Sequence, residues 1–152
     1  MTVDGMTHTE SIDIAAKPSV VYDAVRNLER MGEWSPENIG GKWIQGDGSS
    51  VGDEFEGTNK IGEFEWQTSV YVTRAEPGTA FCFCTLSPSD PMADWGYLLE
   101  ANGSGTTVTE TWVTHILPGI YEGSPERAAE RAENVKKAMH TTLGRLKATL
   151  ET

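Results

Sequence analysis

Ser124-Pro-Glu-Arg-Ala-Ala-Glu-Arg-Ala-Glu-Asn-Val-Lys-Lys-Ala-Met-His-Thr-Thr-Leu-Gly-Arg-Leu-Lys-Ala-Thr-Leu-Glu-Thr152 is the longest periodic stretch of the chain, and it reads as one helix. Ser124 supplies a hydroxyl that can accept an orphan backbone N–H, Pro125 lacks only a donor that the first turn leaves unused, and Glu126 sits at the positive end of the helix dipole. Ala128, Ala132, Val135, Met139, Leu143, Leu146 and Leu150 then follow in steps of three or four, which is a single stripe on a 3.6-residue spiral. At ~1.5 Å per residue the helix spans roughly 40 Å, enough to cross a small domain. The stripe is small in its first half and large in its second. The expectation is that Met139, Leu143, Leu146 and Leu150 anchor the helix, while Ala128, Ala132 and Val135 roof a cavity.

Upstream of the helix the pattern has period 2. Candidate strands are Thr7 to Ile14, Lys42 to Gln45, Asp53 to Asn59, Glu63 to Ala75, Thr79 to Ser87, Ala93 to Ala101 and Thr106 to Ile116. Turn chemistry separates most of them: Gly46-Asp47-Gly48, Lys60-Ile61-Gly62, Glu76-Pro77-Gly78 and Asn102-Gly103-Ser104-Gly105. Such short links predict hairpins and an antiparallel meander. Between the first two strands, Pro18 opens a short helix through Val21, Val25 and Leu28, and a second helical turn reaches Met31. Strands in one run with segregated helices indicate α+β, the long helix lying against one face of a curved sheet.

A chain of 152 residues fits one domain, residues 1–152, with a loose start expected over residues 1–6. The net charge is −11, although Arg127, Arg131, Lys136, Lys137, Arg145 and Lys147 put six of the twelve basic residues in the last helix. So acidic a surface repels phosphate backbones and anionic lipid, which argues against nucleic acid and membrane surfaces as partners. There is no apolar run of membrane-spanning length and no apolar leader, so the expected location is cytoplasmic and no membrane insertion is expected. Cys82 and Cys84 share a strand face and read as reduced thiols. No metal or cofactor is expected, because no second C-x-C or H-x-H motif, phosphate loop, nucleophile elbow or dinucleotide fingerprint accompanies them.

The alternation also assigns faces. Thr107, Thr109 and Thr111 form a solvent ladder, which turns Val108, Glu110 and Trp112 inward. Trp95, Tyr97 and Leu99 face inward from the preceding strand, and Trp66, Thr68, Val70, Val72, Phe81 and Phe83 from the two before it. Phe55, Gly57 and Asn59, with Ile12 and Ile14 and a possible inward Glu10, complete the set. Aromatic walls with a few polar groups are what a ligand cavity needs, and a core with a satisfied polar network has the same composition. An inward Glu110 demands either a partner, for which Arg26 and Lys42 are the candidates, or a raised pKa in a pocket. Trp34, in the loop Glu33-Trp34-Ser35-Pro36, reads as a plug beneath that loop or a gate at a cavity mouth. His8, His115 and His140 show no coordination pattern and are expected at the surface or rim.

Four stretches resemble the polyketide cyclase/dehydrase branch of the START-like (SRPBCC) superfamily, which includes the birch-pollen-allergen and steroidogenic lipid-transfer folds. They are Ser11-Ile-Asp-Ile-Ala-Ala-Lys-Pro-Ser-Val-Val-Tyr22, Glu29-Arg-Met-Gly-Glu-Trp-Ser-Pro36, Ala75-Glu-Pro-Gly78 and Gly105-Thr-Thr-Val-Thr-Glu-Thr-Trp112. The resemblance implies a helix-grip fold: a seven-stranded curved antiparallel sheet around a long C-terminal helix, with two short helices between strands 1 and 2. Members bind lipids, sterols, polyketides, quinones or plant hormones, and some catalyse cyclisation or dehydration. The superfamily carries no universal catalytic motif. The expected role is therefore binding or transport of a small hydrophobic ligand, polyketide-, lipid- or sterol-like, by a monomer or weak homodimer. Its expected lining is Trp34, Phe55, Asn59, Trp66, Thr68, Phe81, Phe83, Trp95, Tyr97, Glu110, Trp112, Ala128, Ala132 and Val135. Two alternatives stand beside it: a cyclase or dehydratase with Glu110 as acid or base and Tyr97 polarising a carbonyl, and a protein-interaction module without ligand.

Overall fold

The structure, a computed structural model, describes residues 6–116 and 123–152. Strand β1 (Thr7–Ile14) leads into helix α1 (Pro18–Val25) and a 3-10 turn (Leu28–Glu33). Six strands follow: β2 (Asn38–Gln45), β3 (Glu54–Ile61), β4 (Phe64–Glu76), β5 (Ala80–Thr85), β6 (Ala93–Ala101) and β7 (Thr106–Thr114). Helix α2 (Pro125–Leu150) ends the chain. The sheet order is β1-β7-β6-β5-β4-β3-β2, antiparallel throughout, so β2 to β7 are a meander and β1 closes onto its last strand. The short helices carry the chain from one edge of the sheet to the other. This is the helix-grip arrangement expected from the sequence.

Local chemistry explains the boundaries. Ser124 caps α2, its hydroxyl accepting from the Arg127 N–H at 3.4 Å, and Pro125 occupies the first turn. The far end of α2 is clamped to β1: the Ala15 N–H donates to Glu151 Oε2 at 2.8 Å, and Lys147 Nζ donates to the Asp13 carbonyl at 2.8 Å. Strand β2 begins four residues earlier than the alternation predicts, at Asn38 rather than Lys42. Gly40 and Gly41 hide it, because Gly41 at φ 151° lets β3 come so close that a Cβ there would lie 2.1 Å from the Glu56 carbonyl. Strand β7 stops at Thr114, where the amides of His115 and Ile116 both turn to the Met92 carbonyl, at 2.7 and 3.3 Å.

The loose start expected through Met6 does not extend to that residue. Met6 is 3 % exposed, and its carbonyl accepts from the Thr114 N–H at 2.8 Å; residues 1–5 lie outside the described residues. A strand edge paired with β7 holds Met6 in place, and local sequence carries no sign of that pairing.

Buried apolar side chains form two clusters. The larger joins α1, the 3-10 turn and the sheet to the end of α2: Val25, Trp34, Phe55, Phe81, Val108 and Leu146 belong to it. The smaller comprises Met6, Ala93, Trp112, Ala132, Val135 and Met139, and Trp95 packs against both. The first half of α2, expected to roof a cavity, thus presents Ala132 and Val135 to a packed group at Trp112, with Ala128 half-buried. Ala132→Leu would force additional carbons into that group, and a loss of about 1–3 kcal/mol is expected in urea unfolding. A variant as stable as the parent would show open space above Ala132.

Candidate functional site

The division between the two apolar clusters falls on β7. Val108 belongs to the larger and Trp112 to the smaller; Glu110 stands between them on the same face, only 5 % exposed. Register fixes its neighbours. Glu110 is paired with Tyr97 of β6 on one side and with Glu10 of β1 on the other, and Tyr97 is paired in turn with Phe81 of β5. A single cross-strand row therefore runs Glu10, Glu110, Tyr97, Phe81, with side chains on one face of the sheet.

Neither basic residue proposed as a mate reaches Glu110. Arg26 donates to the Asp47 carbonyl at 3.1 Å, and Lys42 lies 3.9 Å from Glu56. The polar side chain beside it is instead Tyr97, its direct ladder partner on β6. Glu110 Oε1 has no hydrogen-bond partner among the described residues. Burial, helped by the negative charge of Glu10 and opposed by the neighbouring Tyr97 phenol, pushes the Glu110 carboxyl up to about 8. Tyr97 is raised well above its ordinary range, first by burial and then by the neighbouring Glu110. At neutral pH the row thus holds a protonated carboxyl and a neutral phenol. Both can donate a hydrogen bond, and one carboxyl oxygen has no partner among the described residues.

Glu10 is the polar residue that the sequence marked least clearly. Its Oε1 accepts from His8 Nε2 at 3.2 Å and its Oε2 from His140 Nδ1 of α2 at 2.6 Å. Burial works to raise its pKa, but the two imidazole hydrogen bonds outweigh it and hold the carboxyl below the usual range. His8 and His140, expected at the surface or rim, are half-buried and exposed respectively, and both are tied to this row through Glu10. His115 keeps the outward position expected for it and meets the Asp94 carboxylate at 2.6 Å. Period-2 alternation could place His8 and Glu10 on one face. It could not bring His140 across 130 residues of chain.

The other expected lining residues fall into separate neighbourhoods. Trp95 and Trp112 stack with centroids 5.9 Å apart, and the Trp112 indole N–H donates to Thr114 Oγ1 at 2.9 Å. Phe83 pairs with Trp95 across β5 and β6 and Phe81 with Tyr97, both phenylalanines buried with their rings 6.2 Å apart. Phe55 is buried in the larger cluster with its ring against Trp43. Asn59, Thr68 and Trp66 lie on β3 and β4, with β5 and β6 between them and β7. There Asn59 Nδ2 donates to Thr68 Oγ1 at 3.0 Å, while Trp66 tilts against the exposed Phe64. Trp34 is 1 % exposed within the larger cluster, with the Arg30 guanidinium 5.2 Å above its ring. It is a plug beneath its loop and does not stand at a mouth.

Two surface grooves are lined by described residues. One of about 460 Å³ lies between Ala15–Pro18 and the β6–β7 turn. The other, of about 310 Å³, is bordered by Pro36, Ile61, Lys137 and Thr141. Across it, Arg131 of α2 grips Glu37 through two hydrogen bonds of 2.9 and 2.8 Å, which ties the helix to the loop before β2. No helix among the described residues is long and apolar enough to cross a membrane.

The family described as polyketide cyclase / dehydrase and lipid transport matches residues 6–151. No curated protein matches the chain in sequence. Among solved structures, a Polyketide_cyc-like protein of Corynebacterium glutamicum, Cgl2372, is 30% identical, with 95% of this chain and 88% of that one covered at a TM-score of 0.62. The di-domain ARO/CYC StfQ of the steffimycin biosynthetic pathway shares the fold at a TM-score of 0.75 and 11% identity, over 97% of this chain and 51% of that one. Ara h 8.0201 does so at 0.69 and 12%, over 95% and 96%.

Proposed function

We propose, from the premise that this chain belongs to the polyketide cyclase / dehydrase and lipid transport family, that it binds a small, neutral, hydrophobic molecule bearing a carbonyl or similar acceptor. The observation that carries this is the unpartnered Oε1 of Glu110, buried at the junction of the two apolar clusters beside Tyr97. A buried oxygen without a partner costs about 1–3 kcal/mol, a cost that a ligand atom at this point would remove. Because the carboxyl is protonated below about pH 8, the complementary atom is an acceptor; a ligand carboxylate would meet the negative charge of Glu10 as well. Aromatic rings of Trp95, Trp112 and Phe83 supply apolar contact on the same sheet face. Polyketide-, sterol- and lipid-like molecules with a carbonyl all fit this description.

Nile red, a neutral polycyclic dye with a ring carbonyl, serves as the probe. Its fluorescence is expected to rise on binding at pH 6, to fall as pH passes about 8 with ionisation of Glu110, and to require about tenfold more Glu110→Ala protein for the same signal. Native mass spectrometry of protein purified gently from its own host should show an added apolar mass. No dye binding together with an empty mass spectrum would sink the proposal.

A second reading is favoured by one specific feature, a carboxyl that gains and loses its proton near neutrality. Such a group suits general acid–base work, so Glu110 could move a proton to or from a bound carbonyl polarised by Tyr97, as in enolisation before cyclisation or dehydration. Glu110→Gln would then abolish turnover of a polyketide substrate while dye binding persists. Unchanged turnover would exclude Glu110 from that role.

A further inference from the structure

We propose that Glu10 is the charge partner of Glu110: its carboxylate, fixed and kept ionised by His8 and His140, holds the proton on Glu110 and so restricts the site to neutral acceptor ligands. The inference rests on the reading of Glu110 as the ligand-facing acid, and it adds three residues from β1 and α2 that act through Glu110 as positioning residues.

The geometry is that of an unequal carboxyl pair. Glu10 and Glu110 are direct partners in the β1–β7 ladder and project from the same face, which brings side chains to a Cβ separation of about 4.5–5.5 Å. Two carboxylates this close do not both ionise readily, and the better-solvated, better-bonded one keeps the charge. Every difference favours Glu10. Its side chain is 24 % exposed and both of its oxygens are occupied by imidazole nitrogens, whereas Glu110 is 5 % exposed with one oxygen bare. His140, 83 % exposed, links the pair to solvent.

The remaining charged neighbours do not disturb this assignment. Among the described residues, β6 offers Tyr97 to Glu110 and β5 offers Phe81 further along the row. On α2, Lys136 is engaged by Glu133 and Lys147 by Glu151 and the Asp13 carbonyl, and Arg131 grips Glu37. Among the described residues Glu110 makes no ion pair, and no cation is among the causes of its shift. The shifts agree in direction, with Glu10 lowered and Glu110 raised in part by Glu10 itself.

The test reads Glu110 directly, without ligand. In protein carrying ¹³C-labelled glutamate carboxyls, the Glu110 resonance is assigned by its loss in Glu110→Gln. Glu10→Gln is expected to lower its titration midpoint by about one pH unit. Glu10→Asp, which keeps the charge, is expected to leave the midpoint near that of the parent. His140→Ala should raise the midpoint of Glu10. In dye binding, Glu10→Gln should match the parent at pH 5.5 and fall about threefold at pH 7.5, the ratio of protonated Glu110 for that shift. A Glu110 midpoint unmoved by Glu10→Gln overturns the charge pairing even if the dye binds. A shifted midpoint with no dye binding leaves the pairing intact and removes the ligand reading instead. Should Glu10→Gln fail to fold, the His8→Ala/His140→Ala double variant decides, since an unchanged Glu10 midpoint there overturns the proposal.

Discussion

Glu110→Gln is expected to stabilise the protein at neutral pH, by roughly 3 kcal/mol at pH 7 relative to its effect at pH 4.5. The Glu110 carboxyl is raised from 4.5 to about 8 on folding. Below the lower value both folded and unfolded chains hold the proton, and the residue's contribution to stability is complete. Between the two, the unfolded chain releases its proton while the native one keeps it. The native state then binds more protons, so stability falls as pH rises until the folded value is passed. Glutamine has no proton to lose, and the difference between the two proteins isolates this effect from every other titrating group. Glu10 works in the opposite sense, its lowered carboxyl stabilising the fold above its unfolded value and losing that contribution as pH falls. Unfolding free energies from urea titrations at pH 4.5, 6 and 8 measure the difference. If it stays constant across that range, Glu110 is not the buried acid described here.

That outcome would bear on function as much as on stability. A residue whose replacement by a near-isostere strengthens the fold is not there for packing. Proteins keep such groups where activity needs them.

Trp112→Ala carries the other large effect, an expected loss of about 3–5 kcal/mol. The indole is 2 % exposed, stacks on Trp95 and holds Met6, Ala93, Ala132, Val135 and Met139 in one cluster. Its removal leaves a hole between α2 and β7 that those neighbours cannot readily close, because they are held by three separate parts of the fold: Met6 before β1, Ala93 on β6, and Ala132, Val135 and Met139 on α2. It also strands Thr114 Oγ1, the acceptor of the indole N–H at 2.9 Å. Trp112→Phe separates the two contributions: the ring volume is largely kept and the hydrogen bond lost, so about 1–2 kcal/mol is expected. Urea unfolding of both variants provides the check. Equal losses would mean that the hydrogen bond, and not the packing, is what Trp112 supplies.

Much of this was legible in the chain itself. Proline, serine and glutamate at the start of α2, and its stripe of steps of three and four, locate that helix to within two residues at either end. Alternation assigned Glu110, Trp112, Tyr97 and Phe81 to the inner face, and glycine-bearing turns delimited the hairpins. Beta strand β2 was shortened in the sequence because Gly40 and Gly41 carry no side chain to alternate. Lone apolar residues such as Met6 and Trp34 gave no local sign of how deeply they are buried.

Local spacing, then, determined the elements, their order and the face on which each side chain lies, since a helix repeats every 3.6 residues and a strand every two, whatever surrounds them. Tertiary structure alone decided who meets whom on those faces. The partners of Glu110 come from positions 10 and 97, and those of Glu10 from positions 8 and 140. Register between distant strands, and the lie of α2 across β1, set these meetings. The ionisation state of a buried carboxyl depends on the desolvation and charges they create, so the site's chemistry emerges only when the chain is closed.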